Sequence, residues 1–295
     1  QIATVNPMLE MMYQTCEAII RIEADENMRA RSGYPQDLQR ARARYHAELI
    51  TIQMRREAAK ELRRCTTQFP TFGYAQNAGM SLRQYEAFLF GACKADHDDP
   101  VGEWRKVYQS HERLIEWLKG KKRITVRGDH IDLELSIDGR IFKNAGGKEN
   151  MPDGEIFTGP VEDSVNGWVE FTYPAFYTQN EVKGVRLEFK DGLVTRATAE
   201  SNEEFLLATL NTDPGARRLG EFAIGTNRDI QEFTGSILFD EKIGGTVHMA
   251  VGQGYAETGS TNESLVHWDM ICDMRQGGEI RVDGELFYKD GEFVI

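Results

Sequence analysis

Gly120-Lys-Lys-Arg-Ile-Thr-Val-Arg-Gly-Asp-His-Ile-Asp-Leu-Glu-Leu-Ser-Ile-Asp-Gly139 is the stretch in which the chain turns from helix to strand. Ile124-Thr-Val126 and Ile131-Asp-Leu133-Glu-Leu135-Ser-Ile137 place an apolar residue at every second position, as a strand with one buried face requires. Asp138-Gly139 supplies a tight turn of hairpin type. The same pattern returns toward the C-terminus. Strands are predicted at 167–173, at 185–189 ahead of Asp191-Gly192, at 279–282 ahead of Asp283-Gly284, then at Leu286-Phe-Tyr288 and, past Asp290-Gly291, at 293–295. One helix interrupts them at 202–210, with Ser201 as its predicted N-cap and Glu204 at the capping-box position.

Upstream of Gly120 the period is helical. Residues 38–64 read as one long helix, rich in Ala, Arg and Glu, with Ala43, Ile50, Met54 and Ala58 on one side and Pro70 just beyond its end. Ser81 caps a second helix at 82–92, and a third runs over 101–119 until Gly120 stops it. Ala18-Ile-Ile-Arg-Ile22 reads as a short buried strand. The sequence therefore predicts an α/β domain over 1–119 and an α+β, strand-rich domain over 120–295, with no repeat or low-complexity linker between them.

A chain of 295 residues can bury a sizeable core, and 40% hydrophobic with 28% charged residues is ordinary for a soluble protein. No run approaches the roughly eighteen apolar residues of a membrane span, so no membrane partner is expected. A net charge of -12 argues against a nucleic-acid partner, which needs a basic face, and such an excess of acids suits divalent cations instead. Cys16, Cys65, Cys93 and Cys272 form no C-x-x-C pair, so free thiols in a reducing cytoplasm are expected. The chain opens on Gln1 rather than Met, which implies processing or an omitted N-terminal segment.

Two of the six histidines, His248 and His267, fall in the densest run of Gly, Thr, Asn and acidic residues. His267-Trp268-Asp269 sets a histidine and an aspartate at i and i+2, on one face of an extended strand, where they can grip one metal or two neighbouring ones. A hydrogen-bonded surface strand has the same spacing. His248 follows Gly244-Gly245-Thr246-Val247, a flexible approach to a strand end, and is either a presented ligand or a satisfied core histidine. Glu155, in Asn150-Met-Pro-Asp-Gly-Glu155-Ile-Phe-Thr158, and Glu221, in Leu219-Gly-Glu221-Phe-Ala-Ile-Gly225, each stand between a glycine and an apolar run. Such a glutamate is costly to bury unless a cation or donor neutralises it, so the repetition favours a shared cation, although either alone suits a salt bridge. Glu241, in Asp240-Glu241-Lys242, is a further ligand or a solvated charge, and Tyr255 is a donor to a reacting oxygen or a packing residue. Carboxylates and histidines without cysteine suit Zn, Mn or Co acting as a Lewis acid on water.

Taken in order, Asn-Met-Pro-Asp-Gly-Glu155-Ile-Phe-Thr, Leu-Gly-Glu221, Glu-Lys-Ile-Gly-Gly-Thr-Val-His248, Gly-Tyr255 and Asn-Glu-Ser-Leu-Val-His267-Trp-Asp269 resemble the thermophilic metallo-aminopeptidase family of aminopeptidase T and aminopeptidase S. The resemblance runs from about Arg105 to the C-terminus, and Ala75-Gln-Asn-Ala-Gly-Met80-Ser81 looks like part of the family's N-terminal domain. It implies that Glu155, Glu221, His248, His267 and Asp269 hold two divalent ions per chain (Zn, Co, Mn or Mg), that Glu241 is an acid sometimes counted with them, and that Tyr255 is the active-site tyrosine. The implied reaction is hydrolysis of the first peptide bond of a peptide with a free N-terminus. The two ions activate a bridging water, Glu155, Glu221 or another acid carries the proton, and Tyr255 steadies the tetrahedral intermediate. A homodimer is also implied.

This chain departs from that family in two places. The spacing from Glu241 to His248 is about two residues longer than in aminopeptidase T, and the family's opening strand and helix segments are lacking, so the N-terminal domain reads as incomplete. The family also resembles mononuclear-iron ring-cleaving dioxygenases acting on dihydroxypyridines, for which His248, His267 and Asp269 would suffice. Retention of both Glu155 and Glu221 favours two metals and hydrolysis. A non-catalytic binding protein that keeps the fold is the third reading.

Overall fold

The alternation at 123–137 forms a hairpin. Arg123–Gly128 and Ile131–Ser136 pair antiparallel, Ile124 opposite Leu135 and Val126 opposite Leu133, with all four side chains buried. The structure, a computed structural model, describes residues 6–30 and 33–295. The turn of this hairpin falls at Asp129-His130 rather than Asp138-Gly139, because the two alternating runs satisfy each other's backbone groups across the shorter connection. Asp138-Gly139 instead leads the chain out of the sheet.

This hairpin is the centre of an eight-stranded antiparallel sheet in the order Leu193–Thr198, Arg186–Lys190, Asn166–Glu170, Ile131–Ser136, Arg123–Gly128, Glu279–Val282, Glu285–Lys289, Glu292–Phe293. The expected turns at Asp191-Gly192, Asp283-Gly284 and Asp290-Gly291 join its outer strands. A second antiparallel sheet contains Lys143–Ala145 (β1), Glu155–Thr158 (β2), Leu219–Gly225 (β3), Thr246–Gly252 (β4) and His267–Asp273 (β5), ordered β5-β4-β3-β2-β1. The two sheets share one core, to which the first gives Ile124, Leu133 and Leu187 and the second gives Phe222, Ile224, Val247, Met249 and Trp268. In β3, β4 and β5 the residues between these core positions point the other way, and they form the site.

The N-terminal part is α/β. Ala18–Glu23 and Arg63–Gln68 pair in parallel, and Asn150–Met151 adds a third parallel strand from beyond Gly120. The run at 18–22 is thus a strand but not a buried one. Ile20 and Ile22 are 74% and 62% exposed, because the described residues pack nothing over that side of an edge strand. The long helix is Gln36–Ala58, ending sooner than the sequence predicts: Lys60 takes φ 58, and residues 63–68 gain more from strand pairing than from their helix propensity. Its apolar side is also not the predicted one. Ile50 and Met54 face solvent while Leu49 is buried with Tyr13 and Leu62; the side chains of Ala43 and Ala58 lie outside the described residues.

Helices Leu82–Ala92 and Pro100–Leu118 form as expected, the first with a capping box between Ser81 and Gln84, the second ahead of Gly120 at φ 76. The helix Glu203–Leu210 lacks the predicted Ser201–Glu204 capping box. Asn202 occupies the N-cap in a left-handed conformation, and the Ser201 hydroxyl accepts the Lys183 amide instead. All four cysteines are free, and among the described residues no helix is long and apolar enough to cross a membrane.

Candidate metal centre

Strand register brings the singled-out residues together. Glu221 of β3 lies opposite Ala250 of β4, which lies opposite Asp269 of β5; one row along, Ala223, His248 and Ile271 are partners. Gly252 opposes His267, and Gly225 opposes Glu155 of β2. Residues directly opposite share a face. The donors Glu155, Glu221, His248, His267 and Asp269 therefore stand on one surface, separated by alanine and glycine, which leave room between them. Gly252, at φ 100, also brings its backbone so close to Val266 that a Cβ would lie 2.1 Å from the Val266 carbonyl oxygen.

His248 Nε2 is 3.1 Å from Glu155 Oε2 and 3.9 Å from Glu221 Oε1, and His267 Nε2 is 3.4 Å from Glu221 Oε2 and 3.5 Å from Asp269 Oδ2. Tetrahedral donors at about 2.0–2.2 Å from an ion would be roughly 3.3–3.6 Å apart, so the two His267 spacings suit a common cation and the two His248 spacings lie on either side of that range. Three sets of donors converge: Glu155, Glu221 and His248; Glu221, His267 and Asp269; and Glu241, His248 and Asp269. His248 Nδ1 and Asp269 Oδ1 are buried and have no hydrogen-bond partner. Orphaned polar atoms in such a cluster fit cation binding. The other ring nitrogen of His267, Nδ1, is held 2.8 Å from the Gln253 carbonyl oxygen, which aims Nε2 at the acids.

The acids and imidazoles shift one another strongly. Burial opposes ionisation of Glu221, yet its bonds to His248 and His267 hold its carboxyl down at about 2. Burial likewise opposes a charged ring on His267, but Asp269 and Glu221 raise it to about 10, and His248 is raised by Glu155 and Glu221 in the same way. Burial and the neighbouring carboxylates Glu155 and Asp269 push Glu241 up to about 8 despite Lys242. Tyr255 is raised well above the usual phenol range by burial and by Glu221 and Asp269, so it stays a neutral donor. Its ring lies 5.3 Å from Phe157 and 5.3 Å from His267.

All seven sequence-derived candidates thus gather here. His248 sits within β4 rather than at a strand end, and Glu241 follows the short helix Ile237–Asp240. Sequence reading missed Lys242, fully buried beside Glu155 and Glu241, and Asp153, fully buried in the Pro-Asp-Gly turn before β2. It also missed the small residues Ala223 and Ala250. Each lies two residues from a donor on the same strand, which is the signal that could have found them.

A sequence profile of the thermophilic metalloprotease family (M29) matches residues 1–293. The chain is 32% identical over 259 residues to aminopeptidase 2 of Geobacillus stearothermophilus, aligning 76% of this chain with 61% of that protein. It is 31% identical over 234 residues to aminopeptidase T of Thermus thermophilus, 71% of this chain against 56% of that one. The chain therefore spans 61% or less of the length of these two relatives. Among solved structures it superposes on wild-type AmpT from Thermus thermophilus with a TM-score of 0.84 at 23% identity, covering 100% of this chain and 81% of that one. On a 2,5-dihydroxypyridine dioxygenase from Pseudomonas putida the TM-score is 0.60 at 14% identity, covering 99% and 98%. These two structural likenesses are likenesses of fold.

Proposed function

The chain belongs to the thermophilic metalloprotease (M29) family, and on that premise we propose that it is a metal-dependent aminopeptidase that removes the N-terminal residue of peptides at a centre of two divalent ions. The observation that supports this reading is the place of Glu221, which completes one donor set with His248 and another with His267. Glu155, Glu221 and His248 would hold one ion and Glu221, His267 and Asp269 the other, with Glu241 at their margin. When bound, such ions supply Lewis acidity, lowering the pKa of a water and polarising the scissile carbonyl.

The chain's own groups do the rest. Glu155 and Glu221 are the carboxylates we assign to moving the proton from water to the leaving amine. Tyr255, neutral and anchored against Phe157, donates to the oxygen on which negative charge develops. Zn, Co, Mn or Mg as the ions, a homodimer, a cytoplasmic location, and a division into an α/β unit at 1–119 and a catalytic unit at 120–295 belong to the same proposal. The ring-cleaving alternative needs only His248, His267 and Asp269, and Glu221 beside each histidine supports hydrolysis over it.

The test is an ion count paired with two substrate series. Two ions per chain and hydrolysis of aminoacyl amides with a free amine, but not of their N-acetyl forms, are expected. One iron per chain with oxygen uptake on a dihydroxylated ring would replace this reading with the dioxygenase, and turnover of neither series would leave a binding protein.

Loading should also release protons. His248 and His267 are raised, His267 to about 10, so the ion-free centre carries ring protons at neutral pH, whereas ligation needs neutral imidazole. Apparent affinity should therefore rise with pH through the neutral range, about tenfold per unit for each proton displaced. Titrating Zn into weakly buffered protein measures this directly. No proton release would remove the histidines from the ligand set.

A further inference from the structure

Behind the donor lattice lies a charge that no step above uses. The Lys242 side chain is 0% exposed; its ammonium contacts Glu241 Oε1 and stands 3.9 Å from Glu155 Oε1. Asp153, fully buried before β2, is a third carboxylate acting on it; its Oδ2 accepts the Gly147 amide at 2.8 Å and its Oδ1 has no partner. A lysine sealed from solvent with its ammonium against these carboxylates is a buried ion pair, in which the acids offset the cost of burying the charge.

We infer that Lys242 is a built-in third cation of the centre, a positioning residue whose ammonium balances the carboxylate that two divalent ions leave over and holds Glu241 in place. The inference rests on the two-ion reading above. With both ions bound and every acid ionised the formal charges would close, since Asp153, Glu155, Glu221, Glu241 and Asp269 would bring five negative charges against four on the ions and one on Lys242. Glu241 also stands within reach of His248 and Asp269, so without the lysine a surplus acid would lie beside both ligand sets.

The decisive readout is metal-linked stability, not turnover. Lys242→Met removes the charge while keeping an apolar stem of similar length. Removing one partner of a buried ion pair bares the other, and ions bound to the native state offset that loss. The variant should therefore lose more of its melting midpoint when stripped by a chelator than when loaded with Zn, and its Zn-induced rise should exceed the wild-type rise by roughly 5 °C or more. Adding Glu241→Gln removes the bared acid and should recover the stripped midpoint, making the two changes non-additive.

Equal losses in stripped and loaded protein would mean that Lys242 only fills space and would overturn the inference, as would a double variant no more stable than the single one. If Lys242→Met does not fold, the double variant decides: restored folding supports the charge balance, and failure overturns it. A wild-type ion count below two, with the thermal pattern intact, would sink the two-ion reading alone.

Discussion

Glutamine at position 221 is expected to empty the whole centre rather than half of it. Glu221 presents Oε1 toward His248 Nε2 and Oε2 toward His267 Nε2, at 3.9 and 3.4 Å, so each oxygen serves a different donor set. Glu221→Gln keeps the shape but replaces one oxygen with an amide nitrogen, a poor ligand, and removes the negative charge that both ions would share. The ion count should fall from two toward zero, and hydrolysis of aminoacyl amides should drop to the level left by a chelator, from which added Zn, Co or Mn rescues the wild type but not the variant. Glu155→Gln touches one set only, so it should retain the ion held by Glu221, His267 and Asp269. The fold should survive both changes, since these side chains lie on the face of the sheet turned away from the shared core. Two retained ions and full activity in Glu221→Gln would end the two-ion assignment.

How much of this was legible in the sequence depended on the range of the interaction that decides each feature. Alternation and Asp-Gly turns are local, so most strands after Gly120 could be placed from the chain alone. Arg63–Gln68 could not, because Arg-Arg-Cys-Thr-Thr-Gln carries no strand period and becomes a strand only through its neighbour at 18–23. The same distinction holds at the site. His267 and Asp269 share a face by the strand period alone, whereas the meeting of Glu155, Glu221 and His248 depends on the register of three strands and entered the sequence reading through family resemblance. Lys242 stayed hidden because Asp-Glu-Lys reads as a solvated charge run, and only the packing of Ile237–Asp240 turns it inward. That same packing removes one of the two roles left open for Glu241, since a carboxyl enclosed between Glu155, Asp269 and Lys242 is not a solvated charge.

Tyr255→Phe should separate chemistry from metal binding. Tyr255 is placed three residues beyond β4, its ring held edge-on to His267 and tilted against Phe157, each centroid 5.3 Å away. Phenylalanine preserves both contacts and removes a single hydroxyl. Burial and the surrounding carboxylates keep that hydroxyl protonated far above neutral pH, so in the resting protein it offers a proton and not a negative ligand. A donor of this kind contributes most where negative charge develops, and losing one typically costs about 10² to 10³ in kcat with a smaller change in KM. Ion content should stay at the wild-type level, and so should the proton release on loading, because His248 and His267 are untouched. Near-normal turnover in the variant would reduce Tyr255 to packing, and a lost ion would make it a ligand, so one substitution read by kinetics and by ion count tells the three roles apart.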